Sequence, residues 1–258
     1  MNMDKMQLEV SETLFIPLVA RAAETGRNDP IVADNKAAEI ISQIKIGNTI
    51  TDGGKISTHG ILARTKVIDD EMNKILIHKP DTIIINLGAG LDTRICRIDN
   101  GRLTCFELDL PDVISLRRKF ITENERIHFI SKSVLHDDWV SDLGEISGEN
   151  TVIIAEGLLM YFSEQDVRQI FYLLAKHFKG AHMYFDVVHS YFMGKGISST
   201  FLWGLDKAED IEKICPSIQL IHAWSTGDLL KSRQPLLLRL LNFLPSTKNR
   251  SQILHIQI

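Results

Sequence analysis

The chain has 258 residues, a hydrophobic fraction of 44% and a formal net charge of −4. That is enough apolar material for one substantial core, and the acidic balance gives no support to nucleic-acid binding, which calls for a basic face against phosphates. The three cysteines, Cys96, Cys105 and Cys215, are odd in number and lack a Cys-x-x-Cys pair, which argues against a disulfide framework or a zinc site.

Residues 1 to about 80 read as helices. Leu14, Phe15, Leu18, Val19 and Ala22 recur at helical spacing before Gly26. Asp29-Pro30 opens a second helical stretch through Ile31, Ala37, Ile40, Ile41 and Ile44. A third runs from about Gly60 to His78, with Pro80 as the stop. From there the pattern changes. Thr82–Leu87 is a short β-branched run typical of a strand buried on both faces. Similar runs follow at Leu103–Leu108, Ile127–Ser131, Val152–Ala155 and Met183–Val188, with helical stretches at Ile114–Glu123 and Gln165–Phe178. Ile218–Ala223 and Gln252–Ile258 are two late strands, expected as a hairpin added at one edge. Strand alternating with helix predicts an α/β fold: a doubly wound, mostly parallel sheet of seven strands. The chain reads as a single domain, 1–258, with a helical cap at 1–80, a core at 81–258 and a lid at 189–217. No apolar run reaches the roughly 20 residues of a membrane span, and the N-terminal region has no signal-peptide pattern. A cytoplasmic location without membrane attachment is expected.

Such sheets bind ligands beyond the carboxyl ends of their strands. Thr82–Leu87 leads straight into Gly88-Ala89-Gly90, where glycines permit a tight turn and close backbone approach. Glu107 and Asp109 follow Gly90 by 17 and 19 residues, at the end of the next strand. A carboxylate there suits the hydroxyls of an adenosine ribose. A dinucleotide site would need a third glycine, but that position is Thr93. Asp92 would also repel a pyrophosphate at the following helix start. S-adenosylmethionine fits these residues better than NAD.

The motifs LGAGLDTR (87–94), FELDLPDV (106–113) and AEGLLMYF (155–162) resemble the leucine carboxyl methyltransferase family. SETLFIPLVARAAET (11–25) is more similar to its branch of polyketide-biosynthesis O-methyltransferases. The resemblance runs from about Ser11 to Phe162. It implies a class I methyltransferase sheet with an N-terminal helical cap and S-adenosylmethionine as cofactor. The nine histidines have no HExxH-like spacing, so no metal is expected. The resemblance places Gly88 and Gly90 against the cofactor, Asp109 on the ribose, and Glu107 supporting the turn or sharing the ribose. It also implies Arg64 on the methionine carboxylate, Glu156 near the methionine end, and Arg21 as a further basic contact. Where many members carry Asp-Leu at the adenine, this chain has Ser133-Val134.

Met160 and Tyr161 follow the fourth strand, and His189 and Tyr191 follow the fifth. Met160, Tyr161 and Tyr191 are candidate walls of an acceptor site, and His189 is the one candidate catalytic base. A carboxylate acceptor, with a free pKa near 4, needs no base; a phenol, near 10, does. The expected activity is O-methylation of a carboxylate on a small, polyketide-like molecule. The alternatives are a phenol or hydroxyl acceptor, a protein C-terminus, a nicotinamide oxidoreductase, or a relative without catalysis.

Overall fold

A computed structural model describes residues 14–44, 54–194, 200–242 and 250–258. Three helices come first: α1 (Phe15–Thr25), α2 (Asn35–Gln43) and α3 (Lys55–His78). Then come β1 (Ile83–Leu87), α4 (Arg94–Ile98), β2 (Thr104–Asp109), α5 (Pro111–Arg117) and β3 (Ile127–Ser131). The remaining elements are β4 (Thr151–Ala155), α6 (Glu164–His177), β5 (His182–Val188), β6 (Gln219–Ser225), α7 (Leu236–Leu241) and β7 (Ser251–Gln257).

The strands form one sheet in the order β3-β2-β1-β4-β5-β7-β6. β1 to β5 run parallel. β7 is antiparallel to β5 on one side and to β6 on the other. This is the class I methyltransferase arrangement, with the late hairpin at the edge. The order reverses between β1 and β4, so the crevice for a ligand opens at their carboxyl ends.

The period of two along each strand sends alternate side chains to opposite faces. Ile85, Phe106, Ile153, Met183 and Phe185 face α6, which contributes Val167, Ile170, Phe171 and Leu174. Ile84, Cys105, Val152, Ile154 and Tyr184 face α3, which contributes Val67, Ile68, Met72 and Leu76. α1 and α2 add a third, smaller cluster, in which Phe15, Leu18, Ala37 and Ile40 close on Leu91 and Leu116. Each fully buried side chain of this kind stabilises by roughly 1.5–3 kcal/mol relative to exposure. These contacts seat the N-terminal helices beside the turn after β1.

Several boundaries differ from the sequence reading. α2 starts at Asn35, because the Asp34 side chain accepts the Ala37 amide at 2.9 Å and caps the helix there. Asp29-Pro30 lies in the preceding bend. α3 starts at Lys55 and contains Gly60 within it. α5 is earlier and shorter than Ile114–Glu123, with Pro111 at its first turn and Arg117 as its last residue. α4, the helix expected to start near Asp92, is only the five residues Arg94–Ile98. Ser11 to Thr13 of the opening motif, and 195–199 of the expected lid, lie outside the described residues. No helix among the described residues is long and apolar enough to cross a membrane.

Candidate cofactor site

Four strand ends bring the site together. β1 ends in the turn Gly88-Ala89-Gly90, with both glycines at positive φ, 65° and 50°. β2 ends on Asp109, whose two oxygens accept the amides of Gly90 and Leu110, each at 2.7 Å. β4 runs into Glu156 and Gly157, and β5 carries Asp186 within its apolar run. A cavity of about 410 Å³ opens among them, a volume suited to a small ligand.

α3 brings Arg64 across this opening. Its Nε donates to Glu156 at 2.9 Å and its Nη1 to Asp186 at 2.8 Å. Nη2 has no hydrogen-bond partner among the described residues, and Arg64 lines the cavity. Gly157 is required beside it: φ is 70°, and a Cβ there would lie 2.9 Å from Nη2. Asp186 also accepts the Gly157 amide at 2.5 Å.

Behind this layer is a buried charge network. Arg94 donates to Asp69 and Asp92 at 2.7 and 2.6 Å and pairs closely with Glu156. Arg97 bridges Asp69 and Asp34, and Arg21 also bonds Asp34, at 2.8 Å. Thus α1, α2, α3 and α4 are tied to the ends of β1 and β4 through charge-assisted hydrogen bonds. Burial acts to raise the Glu156 carboxyl, but Arg94 and Arg64 outweigh it and hold it below its ordinary value. Asp92 is likewise held low against burial by Arg94, Arg21 and Arg97. Asp186 is raised by burial, with Arg64 opposing, and Asp109 is raised by burial, with the Gly90 amide opposing.

The leucine carboxyl methyltransferase family profile matches residues 15–175. The chain belongs to that family. It is 27% identical over 232 residues to the tetracenomycin polyketide synthesis O-methyltransferase TcmP of Streptomyces glaucescens, covering 85% of this chain and 84% of that one. It is also 27% identical to the S-adenosyl-L-methionine-dependent methyltransferase dpfgK of Gibberella zeae, covering 81% and 79%. The fold is similar to that of magnesium protoporphyrin IX methyltransferase from Synechocystis with bound S-adenosylmethionine, at a TM-score of 0.50 and 10% identity, covering 94% and 96%. A methyltransferase structure from Listeria monocytogenes has a TM-score of 0.51 at 12% identity, covering 76% and 98%. The chain is an S-adenosylmethionine-dependent O-methyltransferase.

The lining fits that cofactor. Asp92, Asp109, Asp112 and Glu156 face the cavity against Arg21 and Arg64, an excess of two carboxylates among the described residues. A cationic sulfonium ligand suits this balance, whereas a dinucleotide pyrophosphate would be repelled. Asp92 also accepts the Arg94 amide at 3.0 Å, so the start of α4 already holds an anion.

Gly88, Gly90, Asp109, Arg64, Glu156, Arg21, Met160 and Tyr161 all line the cavity. Glu107 does not. It is buried beneath the turn and paired with Arg117, itself fully buried. Burial pushes its carboxyl up, to about 7, with Arg117 pulling it down. Period two explains this: Glu107 and Asp109 share a face of β2, but only Asp109 reaches the strand end. Ser133 and Val134 are not among the lining residues, and the Ser133 hydroxyl is turned to the Leu135 amide at 3.3 Å. His189 and Tyr191 are also outside the lining. His189 Nδ1 accepts the Tyr191 amide and sits 3.6 Å from Asp206, while Tyr191 stacks edge-on with Phe192.

Sequence reasoning did not single out Asp186, Arg94 or Phe201. Asp186 had a usable signal, a lone acid inside the buried run MYFDVV. Arg94 closes the motif LGAGLDTR. Phe201 had none, since its place depends on a long-range contact with the loop after β4. Among the described residues, no group of three or more His, Cys, Asp or Glu is placed to hold a metal ion.

Proposed function

We propose that the methyl acceptor is a small, largely apolar molecule, taken at a carboxylate oxygen to give a methyl ester. The observation that carries this reading is the composition of the cavity. Beside the charged groups just described, the lining carries the largely apolar side chains of Leu14, Pro17, Leu110, Val113, Met160, Tyr161 and Phe201. Tyr161 and Phe201 meet edge-to-face with centroids 5.3 Å apart, and such rings favour a flat apolar body. The titratable groups on the lining are carboxylates, arginines and the Tyr161 phenol, with no histidine among the described lining residues, and a carboxylate acceptor asks for no base of neutral pKa.

In this reading Asp109 binds the ribose hydroxyls and Nη2 of Arg64 takes the methionine carboxylate. Glu156 and Asp92 set the negative field for the ammonium and sulfonium, and Gly88 and Gly90 let the backbone approach. Arg21 supports Asp92 from 3.9 Å. S-adenosylmethionine supplies an activated methyl group for in-line transfer to the acceptor oxygen. The chain supplies alignment, worth roughly 7–11 kcal/mol in well-oriented systems. In this reading the described residues act as one methyltransferase domain, with α1 to α3 as a cap and the described part of 189–217 as a lid. The free thiols of Cys96, Cys105 and Cys215 suit a reducing cytoplasm.

The test is the product and its pH profile. With an aromatic or aliphatic carboxylic acid that turns over, the product should be cleaved by alkali. The rate should be level between about pH 6 and 8. His189→Ala should leave that plateau in place. An alkali-stable ether, with a loss of roughly 10²–10⁴-fold in His189→Ala, would replace this reading with a phenol acceptor and a catalytic histidine.

A further inference from the structure

Arg117 ends α5, is wholly buried and has no part in the chemistry above. A guanidinium in that position needs its charge met; its Nε has no hydrogen-bond partner among the described residues, so the two Nη groups hold it. Nη2 pairs with the Glu107 carboxylate. Nη1 donates to the carbonyl of Gly90 at 3.0 Å and to that of Ala89 at 3.3 Å. The guanidinium carbon lies 5.4 Å from the centroid of the Phe129 ring, within cation–π range.

The two carbonyls belong to the glycine turn that lines the cofactor cavity. The same turn is held through its amides: Ala89 donates to the Leu108 carbonyl at 3.0 Å and Gly90 to Asp109 Oδ2 at 2.7 Å. The residue Gly90 is therefore gripped from both sides, its N–H by Asp109 and its carbonyl by Arg117. Every one of these ties runs to β2 or to the helix that follows it. The planar fork of arginine can serve two carbonyls and a carboxylate at once; a lysine ammonium acts as a point charge. Glu107 touches neither cavity nor solvent, and neutralising Arg117 is the role its position allows.

We propose that Arg117, backed by Glu107, is a positioning residue that sets the glycine turn against Asp109, so that cofactor affinity depends on an arginine that never touches the cofactor. This rests on the ribose assignment of Asp109 made above.

The experiment is calorimetric titration of S-adenosylhomocysteine into five forms of the full chain. They are the wild type, Asp109→Asn, Arg117→Lys, the double variant Arg117→Met/Glu107→Gln, and that double variant with Asp109→Asn added. The double variant removes both charges together, so no lone charge is left buried. Measurements are made well below each variant's own melting temperature. The double variant should bind about 10-fold more weakly, and Arg117→Lys should recover part of that loss. Adding Asp109→Asn to the double variant should cost less than it costs alone, because both act through Gly90. A lower melting temperature with affinity within about twofold of wild type would overturn the proposal and leave Arg117 a structural residue. Full additivity with Asp109→Asn would overturn it too. If the double variant does not fold, Arg117→Lys decides alone, by the same affinity criterion. An unchanged affinity in Asp109→Asn itself is a separate failure: it removes the ribose assignment, and this inference with it.

Discussion

At one end of the cavity, Arg64, Arg94, Glu156 and Asp186 are held by one another, each with at least two partners from different elements. At the other end, Tyr161 and Phe201 are held mainly through backbone. The Met160 carbonyl accepts the Leu202 amide at 2.8 Å and the Trp203 amide at 3.3 Å, and the Val188 carbonyl accepts Leu205 at 3.0 Å. The side chains there remain partly open, with Tyr161 at 38% and Leu110 at 54% exposure. A change at the first end leaves a buried charge unpaired; a change at the second alters a surface that can repack. The difference suits a constant cofactor read by a fixed frame and an acceptor read by replaceable walls.

The largest test of this contrast is Arg94→Met. It takes one arginine partner from each of Asp69, Asp92 and Glu156 at once, and should destabilise the fold by about 3–5 kcal/mol in urea or thermal unfolding. A loss under about 1 kcal/mol would mean that the network is solvated and the contrast wrong. Arg64→Ala comes next. It should weaken S-adenosylhomocysteine by roughly 1.5–3 kcal/mol while sparing adenosine, which lacks the carboxylate. Equal weakening of both ligands would point to damage in α3 instead of a lost contact.

Tyr161→Ala should raise the acceptor KM by the equivalent of roughly 0.5–1.5 kcal/mol, the scale of one aromatic pair. Calorimetry should find S-adenosylhomocysteine affinity unaltered in it. A shared loss would mean that cofactor and acceptor draw on the same side chains. The smallest expected effect lies away from both, where His182 Nδ1 and His255 Nε2 are 2.9 Å apart across β5 and β7. Burial, with His182 and His222 adding repulsion, lowers His255 to about 4 from the ordinary 6.5. Its neutral form is favoured by folding, so its contribution is full above about pH 6.5 and fades as pH falls toward 4. His255→Gln should therefore flatten the fall in melting temperature between pH 6.5 and 4.5. Parallel curves would place the acid sensitivity elsewhere.

The same contrast explains what could be read beforehand. Strands such as Ile83–Leu87 and Thr151–Ala155 are apolar on both faces, a pattern that survives in sequence because every position must be buried. Asp109 and the glycine turn were legible because strand end and turn are local features. Glu107 was legible only as one of two roles, supporting the turn or sharing the ribose, since the choice depends on Arg117, which arrives from the far end of the next helix. Arg64 and Asp186 meet across 122 positions, and no spacing rule encodes that pairing. Phe201 enters the cavity through hydrogen bonds to a loop about 40 residues earlier, which leaves no local trace.

β7 sits between β5 and β6, although both precede it in the chain. During synthesis, β5 therefore emerges with one flank unsatisfied, from His182 to Val188, and keeps it until Ser251–Gln257 arrives. That flank belongs to the apolar segment HMYFDVV, the kind of exposed edge on which nascent chains pair with each other. β6 has its sheet contact through β7 as well, so a late insertion both shields one strand and recruits another. The sheet can close only after residue 257 has been made, and until then an unpaired apolar edge is open to association with other unfolded chains.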